Sequence, residues 1–418
     1  MAFVINGREV AELMRQSPNR AEGCKRVLAI IRHGLKEKKF TPESVSLKGL
    51  GLGLGAIDQF DMEGSLRRCA AEARSTEKFH PESFFSESNP GLLSNAFQTI
   101  TAELVNFAII EGYNNTSNFI GDQLVTVVPV SLRSTKIPGV TSLGGPSEVA
   151  EGHPYPETAF EDKYVTTKES KKGRILSLSE EAILFDQTGM IMMKARESGF
   201  EIRQDRERVI VRGVQDADGS ANYVYRPSGT GTALYPVAGT NMNYIGASNT
   251  VQGSPFASAV TLEDWTDIDL VLTYRALHVK DDRIDGTKRP IAGLSGPDCV
   301  LLVPEKLRSR AYYIANATEV QKNTNSAVDE TRFPNPVKPF IGGALSSPFV
   351  DEVNGDNWYY GNFKKQFIWT EIWPLQTFTQ GADSEAAFER DTVFRVKARY
   401  YGGISARDTR YVTMVDGA

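Results

Sequence analysis

Three cations near the C-terminus, Arg395, Lys397 and Arg399, alternate with Val396, Ala398 and Tyr400. A period of two puts the apolar residues on one face of a strand and the cations on the other. Residues two apart on a strand stand about 6.6 Å apart, so the row can pair with carboxylates of a neighbouring strand or subunit. Phosphates repeat at a comparable spacing, which leaves nucleic acid as the alternative. Ion pairing is the plainer account. A second group, Lys163, Lys168, Lys171, Lys172 and Arg174, lies on one extended arm in mid-sequence. Both groups are expected to make contacts between subunits. A half-buried strand carrying fixed charge suits a surface that meets a copy of itself better than a catalytic centre.

Other chemistry-bearing patterns fail on their spacing. Gly49-Leu-Gly-Leu-Gly-Leu-Gly55 imitates a dinucleotide fingerprint, but no central strand precedes it. The expectation there is a loop between short helices. Asp281-Asp-Arg-Ile-Asp-Gly286 imitates a calcium loop, yet Arg283 stands at a ligand position and Ala292 where a bidentate Glu is needed. It reads as a surface turn. Cys24, Cys69 and Cys299 are far apart, without zinc spacing to His33, His80, His153 or His278, and are expected as free thiols. No nucleophile elbow, zinc helix or phosphate loop occurs in the sequence. The expectation is no enzyme, no metal and no cofactor.

The 418 residues, 40% hydrophobic and 24% charged, are enough for two or three folded cores. A formal charge of -5, spread without long like-charge blocks, argues against a chain whose work is gripping DNA. No apolar run approaches a membrane span and no signal core opens the sequence, so use in a cytoplasm without membrane contact is expected.

The elements that must position these cations follow from period and punctuation. Residues 1–90 read as a helical arm or extension, with a start signature at Thr41-Pro42-Glu43 and a charged helix over 64–74. Residues 91–130 hold a helix over Leu92–Glu111 and a strand over Leu124–Val130. Residues 131–176 are a long hairpin rich in Gly and Pro, with too few apolar residues for its own core. Ser177-Leu-Ser-Glu180 has capping-box spacing, so a long helix is expected over 177–212, bent or broken near Gly189 and Gly199. Residues 213–349 form an α/β section with a helix over Leu262–His278, a buried strand at Val300–Val303 and a helix over Glu305–Ala317. Residues 350–418 close the chain as strands, with Tyr401-Gly402-Gly403 ending the cation strand.

The order of these parts resembles a known family. It comprises a helical arm, a Gly/Pro-rich hairpin, Gly173-Arg-Ile-Leu-Ser-Leu-Ser-Glu-Glu-Ala-Ile-Leu-Phe-Asp186, then Leu302-Val-Pro304. The pattern Phe388-x-x-Asp391-x-Val393-Phe394-x-Val396-x-Ala398-Arg399 follows. Together, over roughly 89–415, these are similar to major capsid proteins of tailed phages with the Hong Kong 97-like fold, in particular the Mu-like head subunits. The resemblance implies an α+β fold with 131–176 as an extended loop lying over the next subunit. It makes 177–212 a spine helix, 91–130 and 350–418 peripheral-domain parts, and 213–349 mainly an axial domain. It also implies self-assembly into hexamers and pentamers of an icosahedral head around double-stranded DNA, which the inner wall touches without sequence preference. Portal, scaffold or cement proteins would be further partners. Some relatives join a loop lysine to a neighbour's asparagine. Asn357 and Asn362 are the acceptors to consider here, but no motif fixes such a pairing. An encapsulin-like compartment shell and a nucleotide-binding enzyme built on the loops near Gly229–Gly239 are the rival readings.

Overall fold

The computed structural model describes residues 7–42, 45, 47–56, 92–115, 119–138, 148–149, 151, 164–179, 190–217, 234–235, 243–246, 260–282, 288–291, 293–321, 332–380 and 392–417. Its first half holds helices α1 (Gly7–Gln16), α2 (Arg20–Lys36), α3 (Leu47–Leu54) and α4 (Leu92–Asn114). Strands β1 (Thr126–Pro129), β2 (Lys136–Pro138), β3 (Tyr164–Thr166) and β4 (Ser170–Ser179) follow, then helix α5 (Met190–Val214). Next come β5 (Tyr244–Ile245), α6 (Trp265–His278), β6 (Lys280–Asp282), β7 (Lys288–Pro290) and β8 (Val300–Val303). Helix α7 (Arg308–Asn316), β9 (Glu319–Gln321), β10 (Arg332–Pro334) and β11 (Gly343–Ser346) lead to the closing strands. These are β12 (Trp358–Gly361), β13 (Phe367–Gln380), β14 (Thr392–Ala406) and β15 (Val412–Val415). The fold class is α+β.

The chain divides into two compact units, each made of three segments. Unit 1 comprises residues 1–117, 171–205 and 373–400; unit 2 comprises 118–170, 206–372 and 401–418.

In unit 1 the N-terminal helices pack through small residues. Residues 49–54 of the stretch expected as a loop are helical instead, as part of α3, with Gly55 at φ 76° just past its end. Its glycines admit a neighbour: a Cβ on Gly53 would strike the Gly7 carbonyl and stand 2.8 Å from Val10 Cβ. At the start signature Thr41-Pro42-Glu43, Pro42 enters a 3-10 turn and Glu43 lies outside the described residues; α3 begins at Leu47, and the charged helix expected over 64–74 also lies outside them. Cys24 is fully buried on α2, and burial pushes its thiol up to about 11. The sign follows: the raised thiol favours the fold below the unfolded value near 9, and that contribution fades as pH rises from about 9 toward 11. Iodoacetamide at pH 8 should therefore leave Cys24 unmodified in the native protein and label it fully in urea; equal labelling rates would contradict the burial.

A close crossing joins α4 to α5. A Cβ on Gly112 would fall on the Arg196 carbonyl, and one on Gly199 on the Ile109 carbonyl. This reciprocity explains why α5 runs unbroken through Gly199, where a bend was expected. Glu111 pairs with Arg196 at 3.6 Å, and the Arg203 guanidinium lies 5.4 Å from the Tyr113 ring centre beside the same crossing. On a free helix face Gly199→Ala would gain about 1 kcal/mol of helix propensity. Here the added methyl has only backbone to displace, so a net loss of about 1–3 kcal/mol is expected in urea unfolding. A stabilised Gly199→Ala variant would show that the helices do not cross here.

Strand β4 continues to Ser179, so Ser177 and Ser179 belong to a strand and not to a helix cap. Period-two packing overrides the short capping signal: Leu178 is buried while Ser177 faces out. The strand shares a sheet of order β1–β13–β14–β4. Helix α5 has 25 residues, about 37 Å, and its described part begins at Met190.

Unit 2 centres on a five-stranded sheet of order β11–β8–β12–β15–β5. Strand β12 was expected with the peripheral strands, yet it pairs antiparallel with both β8 and β15. The reason is composition: Trp358, Tyr359 and Tyr360 are apolar on both faces and all three are buried, as a central strand requires. Ile268, Val271 and Tyr274 of α6, and Ala311 and Ile314 of α7, pack against Leu301, Val303, Trp358 and Tyr360. Helix α6 opens on a complete capping box, Asp264 receiving Trp265 N–H at 2.7 Å and Asp267 receiving Asp264 N–H at 3.0 Å.

One charge sits inside this core. Arg275 is 1% exposed. Its Nη1 donates to Tyr360 O at 2.7 Å and Thr413 Oγ1 at 2.9 Å, while Nη2 donates to Leu294 O and Tyr411 O, both at 3.0 Å. The Tyr360 ring lies beneath it, 5.2 Å from the guanidinium carbon. Burial pulls Arg275 below its ordinary value, opposed by Tyr360, Cys299 and Tyr235. One helical side chain thus ties α6 to two strands and the 294 loop.

Strand β14 does not stop at Tyr401 but runs through Gly402 and Gly403 to Ala406. A side chain on Gly402 would stand 2.7 Å from Thr370 O and 2.8 Å from the Trp369 ring, and one on Gly403 would strike Lys168 O. The glycines serve close packing there, not chain reversal. Of the surface turn expected at 281–286, Asp281 and Asp282 lie in β6, antiparallel to β7, and residues 283–287 lie outside the described set.

Candidate interaction surfaces

Alternation along β4 and β14 divides the cations of unit 1 between two faces. Lys172 and Arg174 of β4, with Tyr400 of β14, face α5. Lys172 Nζ reaches both oxygens of Asp205 at 2.9 and 3.0 Å, and Tyr400 donates to Asp205 Oδ2 at 2.8 Å. Arg174 pairs with Glu201. The fit is metric: acids four apart on a helix stand about 6 Å apart, close to the about 6.6 Å between strand residues two apart. These side chains are partly exposed, so each ion pair contributes at most about 1 kcal/mol and mainly fixes register.

The opposite face carries Lys171, Lys397 and Arg399, and aromatic rings of β13 meet them. The Arg399 guanidinium lies 4.4 Å from the Trp373 ring centre and 4.5 Å from that of Phe378. Lys397 stands 5.2 Å from the Phe378 centre and Lys171 5.9 Å from that of Trp373. Arg399 Nη2 donates to Gln376 Oε1 at 3.2 Å. Among the described residues no carboxylate pairs with Lys171, Arg395, Lys397 or Arg399. Within the subunit, Lys397 and Arg399 of the row lie over aromatic faces, where the negative face of the ring holds the cation. Arg395 shares that side of the strand by alternation, and its Nε has no hydrogen-bond partner.

In unit 2 the described ends of the long hairpin pair as antiparallel strands, β2 with β3, matching Ile137 to Val165. Their base is locked by a buried carboxylate. Glu169 accepts the Ser134 N–H at 2.9 Å and the Thr167 hydroxyl, and Thr167 Oγ1 also reaches Thr135 O at 3.2 Å. Lys168 is exposed beside this lock. Lys163 and nearly all of 139–163 lie outside the described residues. Asn357 is buried, and the Asn362 side chain caps the short helix Phe363–Gln366.

The sequence reading placed Lys397 and Arg399 on one strand face and Lys171 on the separate hairpin arm; the structure brings the three together, beside Trp373 and Phe378, which that reading missed. The signal was present in the aromatic-rich stretch Phe367–Phe378. It also missed Asp205 and Glu201, whose four-residue spacing marks one helix face. Among the described residues no group of His, Cys, Asp and Glu could hold a metal ion. None of their helices is long and apolar enough to cross a membrane.

Comparison with known proteins gives this arrangement a family. No curated protein sequence matches the chain. Among solved structures, a virus-like particle from Pyrococcus furiosus is 11% identical, covering 75% of this chain and 98% of its own with a TM-score of 0.39. The capsid of a native GTA particle is 12% identical over 71% of this chain and 89% of its own, TM-score 0.44. Gordonia phage Cozz is 15% identical over 72% and 87%, TM-score 0.43. The family assignment rests on the sequence: the family model for phage capsid protein matches residues 163–415, more than half of the chain and including both faces of the cation-bearing strands. This chain belongs to the phage capsid protein family.

Proposed function

We propose that this phage capsid protein is the major subunit of a tailed-phage head with the Hong Kong 97-like fold, assembling as hexamers and pentamers into an icosahedral shell around double-stranded DNA. The observation that carries the reading is the family match over 163–415, which spans the return of the hairpin, α5 and the closing strands. In this reading residues 131–176 are the extended loop, α5 is the spine helix and the α6–α7 section is the axial domain. The function is structural. Many weak contacts between copies act together, so closure depends on their number and geometry more than on any single bond. Portal, scaffold or cement proteins act with it during assembly in the host cytoplasm, and packaged DNA touches the inner wall without sequence preference. The family match is to phage capsids, which favours a DNA container over a compartment for enzyme cargo.

Negative-stain microscopy of the chain purified from an expressing host tests the proposal. Rings or closed shells are expected. A uniform small oligomer at concentrations well above those of the infected cell would overturn it.

A further inference from the structure

We infer that the apolar groove between α1 and α2 receives the exposed first turn of α5 from a second copy of this chain, as a head-to-tail contact; this deepens the shell reading and rests on it. The groove encloses about 270 Å³. Val10, Leu13, Val27 and Ile31 form its floor, and Glu9 and Glu12 stand exposed on its rim. Val10, Val27 and Ile31 are at most 1% exposed, so packing of α1 on α2 and α3 holds the floor in place. Ile30 at the edge is 39% exposed. Neither Glu9 nor Glu12 has an ion-pair partner among the described residues. The volume lies below the about 300–1,000 Å³ of ordinary small-molecule pockets and suits a few side chains instead. An apolar helix ridge flanked by a cation fits such a groove.

The start of α5 has that chemistry. Met190 and Met193 are 55% and 56% exposed and stand one turn apart, about 4.5 Å along the axis. Lys194 is exposed beside them, without a carboxylate partner among the described residues. Methionine adapts to an irregular cavity, and the lysine stem can follow the rim to set its ammonium against Glu9 and Glu12. Two other exposed apolar pairs on the described helices lack a cation to offer. Leu270 and Leu277 of α6 stand with the exposed Asp269, and Tyr312 and Tyr313 of α7 lie one turn from Arg308, which Glu305 already holds at 3.1 Å. Nucleic acid or anionic lipid would meet the rim acids with like charge. Groove and ridge are different surfaces of unit 1, so the contact between copies is heterologous and generates a ring where the rotation closes. Hexamers and pentamers require such a contact.

Directed crosslinking tests the contact. Chains carrying Glu12→Cys and Met193→Cys are purified separately, mixed, and treated with a short bismaleimide, which spans the pair without demanding disulfide geometry. Cys24 and Cys299 are buried, and wild type treated alike sets the background. The mixture should give dimers that neither variant gives alone, and one chain with both changes should give a ladder of higher oligomers. Met190→Asp with Met193→Asp should lower the assembled fraction about tenfold with unchanged circular dichroism. Lys194→Glu should also lower it, and adding Glu9→Lys and Glu12→Lys in the same chain should restore it. Dimers from either cysteine variant alone would mean a two-fold contact and overturn the head-to-tail arrangement. Normal shells without crosslinks would overturn the inference, as would normal assembly of the double Asp variant. Glu9→Lys with Glu12→Lys lowering assembly while no crosslink forms would assign the groove to another partner, overturning it too. A crosslinked ladder from chains that never form shells would support the contact and defeat the shell reading.

Discussion

Replacing Arg275 by Met should cost about 3–5 kcal/mol, measured as the shift of the urea midpoint multiplied by its slope. Met fills much of the space and removes the burial cost of a charge. It removes four charge-assisted bonds, to the carbonyls of Leu294, Tyr360 and Tyr411 and to Thr413 Oγ1, although Leu294 O keeps the Cys299 thiol at 3.3 Å and Tyr411 O keeps the Asn362 N–H at 3.0 Å. A hydrogen bond to a charged group is worth about 1.5–3 kcal/mol, and four lost together outweigh the relief of desolvation. Lys at this position offers one ammonium where Arg offers a fork, so Arg275→Lys should fall between Met and wild type. A Met variant with an unchanged midpoint would mean that the guanidinium's bonds merely balance its burial.

Deleting Gly139 to Pro156 should have the opposite profile: an intact subunit and no shells. The lock below the hairpin is made by Ser134, Thr167 and Glu169, all outside the deletion, so unfolding should occur within a degree or two of wild type. Assembly loses one contact per copy, and a lattice built from repeated weak contacts loses all of them at once. Closed particles of normal size from the deleted chain would remove the hairpin from the mechanism. Loss of folding would place the hairpin inside the subunit's own stability.

The sequence carried more of the fold than of the surfaces. Alternation fixed β14 and the burial of Val396, Ala398 and Tyr400, because a half-buried strand writes its pattern locally. The helices at 92–114 and 265–278 were legible for the same reason. Three features were not. The glycine run at 49–55 looked like a loop because its partner, Gly7 of α1, is distant in sequence. Ser177 and Glu180 satisfied a capping pattern, but pairing of β4 with β14 decided the conformation of 177–179, and no local signal reports that pairing. Arg275 drew no notice within its helix, since its four acceptors come from three distant segments. The cation row was visible and its chemistry was not: strand period locates Arg399, but only the fold sets it between Trp373 and Phe378.

Sedimentation velocity on the purified full-length chain, over a concentration series and at low and high salt, tests the shell claim most directly. Growth from a slow species to particles of many copies, suppressed by salt, is the result this account predicts. A single small species at every concentration and salt would contradict it.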